Sequence, residues 1–198
     1  MVDMLTQNTN TLAQASNAWL KSYYFVRFGV SALWVALAFT IANMMPPLAA
    51  VMLVAYPAWD ALANYVDARR AGGLGRNKSQ LMNVIVSVLT ALAVAVALTE
   101  SMNAVLAVYG VWAVLSGLFQ LITAARRWKT SGAQWAMILS GAQSALAGIF
   151  FVKMAGEIAD VGITNVAPYA AFGAFYFLVS AMWLTVGDLL RKSPQLAS

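Results

Sequence analysis

Tyr56, Asp60, Asn64 and Asp67 stand at i, i+4, i+8 and i+11 in the run YPAWDALANYVDARR. On a helix that spacing puts a phenol, two carboxylates and an amide on one face. Asp60 precedes Arg69 by nine residues, about 13 Å at a helical rise of about 1.5 Å per residue. In a membrane helix ending at Arg69 this carboxylate lies within hydrocarbon. There an ionisable group costs about 2.5–3.5 kcal/mol and faces the bundle interior, a partner or water. Pro57 lacks a backbone N–H, so it frees a carbonyl one turn earlier. Arg27, about one turn inside an earlier apolar block, is the expected partner, and the pair is read as an intramembrane ion pair fixing two helices. The competing reading makes Asp60 the ionisable group of a small transporter or channel for protons or a small solute.

Little other chemistry is available. The chain has no cysteine and no histidine, which removes disulfides, thiolate nucleophiles, imidazole metal ligands and histidine general bases. Phosphate loops, zinc spacings, nucleophile elbows and dinucleotide fingerprints are missing, and Gly72, Gly73 and Gly75 sit in a basic loop with no strand before them. The expectation is a protein that is not an enzyme, with no catalytic residue, cofactor or metal site.

The elements that must position Asp60 are apolar. Of 198 residues, 62% are hydrophobic and 10% charged. Six blocks, roughly 23–42, 48–66, 81–98, 105–125, 135–152 and 167–189, each approach the about 20 residues needed to span about 30 Å. An all-α polytopic membrane protein with six transmembrane helices follows. Lys21, Arg27, Arg69, Arg70, Arg76, Lys78, Arg126, Arg127, Lys129, Arg191 and Lys192 fall at alternate gaps, which leaves Lys153 as the only exception among twelve basic residues. The positive-inside rule then expects both termini in the cytoplasm, with Arg69, Arg70, Arg126, Arg127, Arg191 and Lys192 as anchors. The net charge of +5 reflects this topology and attraction to anionic headgroups, not a nucleic-acid partner. Residues 1–22 read as a polar cytoplasmic segment. Leu5, Leu12 and Trp19 at seven-residue spacing allow it to lie on the membrane as an interfacial helix. Residues 23–192 form the membrane domain, and 193–198 a short tail.

Basic pairs close the segments VAYPAWDALANYVDARR, VYGVWAVLSGLFQLITAARR and AAFGAFYFLVSAMWLTVGDLLRK. The period predicts three helical hairpins, about 23–70, 80–128 and 133–192, in a pseudo-threefold arrangement about the membrane normal. With its aromatic and small runs YPAWDAL and YGVWAVLSGLF, each followed by Ala-Arg-Arg, the stretch from Tyr23 to Lys192 resembles the HdeD-like short-repeat family of small bacterial membrane proteins. The founding member of that family is associated with acid resistance. The resemblance implies a structural or stress-response component of the bacterial inner membrane, with no catalytic residues to carry over.

Ser140, Ser144 and Gly148, flanked by Gly141 and Ala145, form a small-residue stripe expected to pack against another helix of the chain, with a homo-oligomer contact as the alternative. Trp19, Tyr23, Tyr24, Tyr65, Trp128 and Trp135 read as an aromatic belt at the inner interface. Trp34, Trp59, Trp112 and Trp183 read as deeper residues filling gaps between helices. The expected partners are the lipid bilayer and, on the alternative reading, a second copy of the chain.

Overall fold

The computed structural model describes residues 2–70, 72–127 and 134–192, with the backbone alone for 2–17, 123–124, 126–127, 134–137 and 191–192. The helices are α1 (Val2–Phe39), α2 (Pro46–Arg70), α3 (Lys78–Ala97), α4 (Met102–Arg127), α5 (Gln134–Glu157) and α6 (Ile163–Lys192), and a 3-10 turn at Ala42–Met44 joins α1 to α2. Among the described residues there is no strand. Six segments are long and apolar enough to cross a membrane: Ala18–Met44, Pro46–Arg70, Lys78–Ala97, Met102–Ile122, Ile138–Glu157 and Ile163–Leu190. Each overlaps one of the apolar blocks, as expected of a multi-pass membrane protein. Trp128, the tail 193–198 and the side chains of Leu5, Leu12, Arg126, Arg127, Trp135, Arg191 and Lys192 lie outside the described residues.

The chain divides into two compact units, residues 34–169 and residues 1–33 with 170–198. In the larger unit α2 packs on α3, α3 on α4, and α4 on α5. Packing therefore runs continuously from helix to helix, across the borders of the hairpins marked by the basic pairs.

The face that α3 turns inward is small or polar, with Ser87, Thr90, Ala91, Val94 and Ala97 buried. Its opposite face exposes Ile85, Val88, Leu89, Leu92 and Val96. In water this would be inverted amphipathicity. In lipid the tails are as apolar as leucine, so helices associate through close approach and hydrogen bonds.

Close approach is greatest between α4 and α5. A Cβ on Gly110 or Gly117 would run into the backbone carbonyl of Gly148 or Gly141, and the reverse holds for Gly141 and Gly148. The two glycine pairs are seven residues apart on each antiparallel helix, so one register places backbone against backbone twice. The expected intrachain stripe on α5 is thus present, and Gly141, Ala145 and Gly148 form its contact line. Asn103, in the first turn of α4, closes the far end of the pair. Its Nδ2 donates to the carbonyls of Ala155 (2.9 Å) and Ile158 (2.7 Å), acceptors left over at the C-terminus of α5.

In the smaller unit, Lys21 Nζ donates to Asp188 Oδ2 at 3.2 Å, linking α1 to α6. Arg27 Nη1 donates to Tyr23 Oη at 3.1 Å. Its guanidinium lies 4.2 Å from the ring centre of Phe177, whose ring stacks with Tyr24. Trp183 corrects the sequence reading. It is 79% exposed on α6 and fills no gap between helices, in keeping with the mostly apolar outward face that Phe172, Phe175, Val179, Met182 and Val186 form on the same helix.

Candidate functional site

Pro57 sets the site by what it lacks. In a regular helix the N–H of residue 57 would donate to the carbonyl of Leu53, and proline has none. Tyr109 Oη, reaching across from α4, donates to that carbonyl at 2.7 Å. The carbonyl of Met52 accepts the indole N–H of Trp34, at the end of α1, at 2.9 Å. Two backbone acceptors around the proline are thus held by aromatic donors from other helices, and both donors are buried. An unpaired carbonyl at this depth would cost about 1–3 kcal/mol.

One turn beyond Pro57 lies Asp60. Its Oδ2 accepts from Ser87 Oγ on α3 at 2.8 Å and from Asn64 Nδ2 on α2 at 3.0 Å. Ser87 is 1% exposed, and its Oγ in turn accepts from Trp112 Nε1 on α4 at 3.2 Å. The result is a directed chain from the Trp112 indole through the Ser87 hydroxyl to the Asp60 carboxylate, tying α4 to α3 to α2. A second polar contact follows seven residues on. Gln80 Nε2 donates to Asp67 Oδ2 at 3.3 Å, in the same antiparallel register as Ser87 and Asp60.

Around this chain the aromatic rings meet edge to face. Trp112 has Tyr109 at 5.6 Å, Tyr169 at 6.0 Å and Tyr56 at 6.1 Å between centroids. Tyr169 continues edge to face to Phe151 at 6.1 Å, whereas Tyr56 meets Trp34 at 5.0 Å with the rings tilted by 40°. T-shaped contacts of this kind contribute about 0.5–1.5 kcal/mol each beyond their buried area. Ser144 Oγ joins the periphery, donating to the Ala113 carbonyl at 2.9 Å and lying 3.0 Å from Tyr169 Oη.

The residues expected on one face are brought together. Tyr56, Asp60, Asn64 and Asp67 all turn into the larger unit from α2, Tyr56 among the aromatic rings, Asp60 and Asn64 bonded to one another, and Asp67 on Gln80. Arg27 belongs to the smaller unit, and its neighbours there are Tyr23 and Phe177. Arg69 and Arg70 are exposed in the last turn of α2, where the Arg69 guanidinium donates to Tyr65 Oη at 3.0 Å. Sequence reasoning missed Ser87, Gln80 and the donor roles of Trp112 and Tyr109. It also missed Asp188 as the partner of Lys21.

Chemically the network donates toward an anion. The Asp60 carboxylate accepts from a hydroxyl and an amide N–H, with an indole N–H behind the hydroxyl, a set of donors that fixes a carboxylate in place.

Comparison with known proteins adds one likeness. Residues 84–153, about a third of the chain, match a family model described as a short repeat of unknown function (DUF308). The matched stretch begins inside α3, takes in α4 and ends within α5, so it contains Ser87, Tyr109, Trp112 and all four packing glycines. A short-repeat family is consistent with the resemblance read from the sequence. No curated protein and no solved structure matches the chain.

Proposed function

We propose that this chain is a non-enzymatic protein of the bacterial inner membrane, a structural or stress (acid)-response component of the envelope with both termini in the cytoplasm. Inside the bilayer its polar side chains hold helices together. The observation that carries this reading is the Asp60 carboxylate, held by a hydroxyl from α3 and an amide from α2, with an indole from α4 behind the hydroxyl. A carboxylate held by donors on two helices, one of which is itself held from a third, serves packing. The stress role rests on the family resemblance, and the cytoplasmic termini rest on the distribution of Lys and Arg.

The three-hairpin arrangement is part of the same proposal. Its support is that α2, α4 and α6 each send one tyrosine, Tyr56, Tyr109 and Tyr169, to the ring of Trp112.

Asp60→Asn tests the functional reading against transport. A structural carboxylate gives a variant that unfolds more readily in detergent. A stable Asp60→Asn protein that has lost a pH-dependent proton or solute flux in reconstituted vesicles would overturn the proposal in favour of a transporter. The ion pair with Arg27 read from the sequence has its own check: on that reading, adding Arg27→Gln to Asp60→Asn returns part of the lost stability.

A further inference from the structure

Where α2 gives way to α3, the chain closes a tight basic turn. The N–H of Gly73 donates back to the Ala68 carbonyl at 2.8 Å, and Gly72 and Gly73 take φ of +98° and +94°, a region that side-chain-bearing residues rarely enter. Arg76 N–H donates to Gly73 and Asn77 N–H to Leu74, while Asn77 Nδ2 donates to the Gly73 carbonyl at 2.9 Å. These bonds fold residues 72–77 back on themselves. Arg76 follows the fold, its Cδ lying 3.5 Å from the point where a Cβ on Gly72 would be.

The charges on this turn are concentrated. Arg69, Arg70, Arg76 and Lys78 lie within ten residues and all four are exposed. The one carboxylate between residues 67 and 80, Asp67, is engaged by Gln80, so the segment carries a net charge of +3. Tyr65, exposed one turn before Arg69, has the Arg69 guanidinium 5.8 Å from its ring centre and 3.0 Å from its hydroxyl. Tyrosines are enriched at headgroup depth, and this one holds a guanidinium. Guanidinium groups take phosphate oxygens through paired N–H donors, and an ammonium adds a point charge.

We propose that the α2–α3 turn is a binding site for the phosphate of an anionic phospholipid, with Arg69, Arg70, Arg76 and Lys78 as its ligands and Tyr65 positioning Arg69. The site rests on the membrane reading above, but not on Asp60 or on which side the turn faces. A basic cluster at a helix end within reach of headgroups is attracted to anionic lipid with an energy that adds over its charges and weakens with salt.

The test uses the full-length protein in an uncharged detergent. Phosphatidylglycerol or phosphatidylcholine is added in mixed micelles, and retained lipid is counted by native mass spectrometry beside the thermal midpoint. The expected result is selective retention of phosphatidylglycerol and a raised midpoint, both reduced by added salt. Arg69→Gln with Arg70→Gln, and separately Arg76→Gln with Lys78→Gln, should each weaken retention roughly tenfold or more, while Lys153→Gln leaves it unchanged. Equal retention of the two lipids by the unaltered protein would overturn the proposal, as would full retention by both paired variants. An equal midpoint shift from inorganic phosphate alone would reassign the site to free anions. Orientation is read separately. A single cysteine at Gly73 is expected to escape impermeant thiol reagents applied outside, and one at Ala159 to react, so failure of the topology and failure of the lipid site give different results.

Discussion

Two stretches of the chain begin alike and end differently. Tyr56-Pro57-Ala58-Trp59-Asp60 on α2 and Tyr109-Gly110-Val111-Trp112-Ala113 on α4 share their tyrosine and tryptophan, and both tyrosines enter the same aromatic cluster. At the second position, proline on α2 frees a carbonyl that Tyr109 must satisfy, while glycine on α4 removes a side chain so that α5 can come close. At the fifth, α2 presents a carboxylate that reaches Ser87 on α3, and α4 presents only a backbone carbonyl, close enough to receive Ser144 from α5. One helix is joined to its successor by polar side chains, the other by backbone proximity. In lipid both solutions are open because neither depends on a hydrophobic driving force.

The largest effect is expected at the glycines. Gly117→Val places a branched side chain against the backbone of Gly141 and Ala145, where no rotamer gives relief. The expected loss is about 3 kcal/mol or more of unfolding free energy in detergent, with α4 and α5 separated. Asn103→Ala at the end of the same pair should cost far less. Near-equal effects of these two substitutions would mean that the backbone contact is not what joins α4 to α5.

Next in size is the proline clip. Tyr109→Phe leaves the Leu53 carbonyl without its donor at a loss of about 1 kcal/mol. In a Pro57→Ala background the alanine N–H can serve that carbonyl, so the loss should shrink toward zero. An undiminished loss in the double variant would show that the Tyr109 hydroxyl matters for some reason other than Pro57. The smallest effect is expected from Ser144→Ala, about 0.6 kcal/mol, because glycine packing still carries the α4–α5 pair when the hydroxyl is gone.

Much of the fold was legible because membrane helices announce themselves by length. The apolar blocks marked all six helices, and Pro57 marked a freed carbonyl, but nothing near Pro57 in sequence named Tyr109 as the donor, since that contact crosses 56 positions. Ser87 escaped notice as a single small hydroxyl, with Thr90 three residues on, in an otherwise apolar run. A signal did exist: Gln80 and Ser87 stand seven apart, as Asp60 and Asp67 do, and an antiparallel pairing of α2 with α3 aligns both. Trp112 was read as a gap-filler, which it is, yet its indole N–H also needs an acceptor, and that requirement points toward a polar neighbour on the next helix. Trp183 looked equivalent by composition and depth. Only the three-dimensional packing shows that its side of α6 faces outward.

On the proposed function, the Asp60 carboxylate serves as a fastening between helices. This role is tested most directly by a double-mutant cycle of Asp60→Ala and Ser87→Ala, read as unfolding free energy in one detergent. Each single variant is expected to lose about 1–2 kcal/mol and the double variant clearly less than their sum, since each removal strands the other group. Strictly additive losses, or an Asp60→Ala protein as stable as the original, would contradict that role.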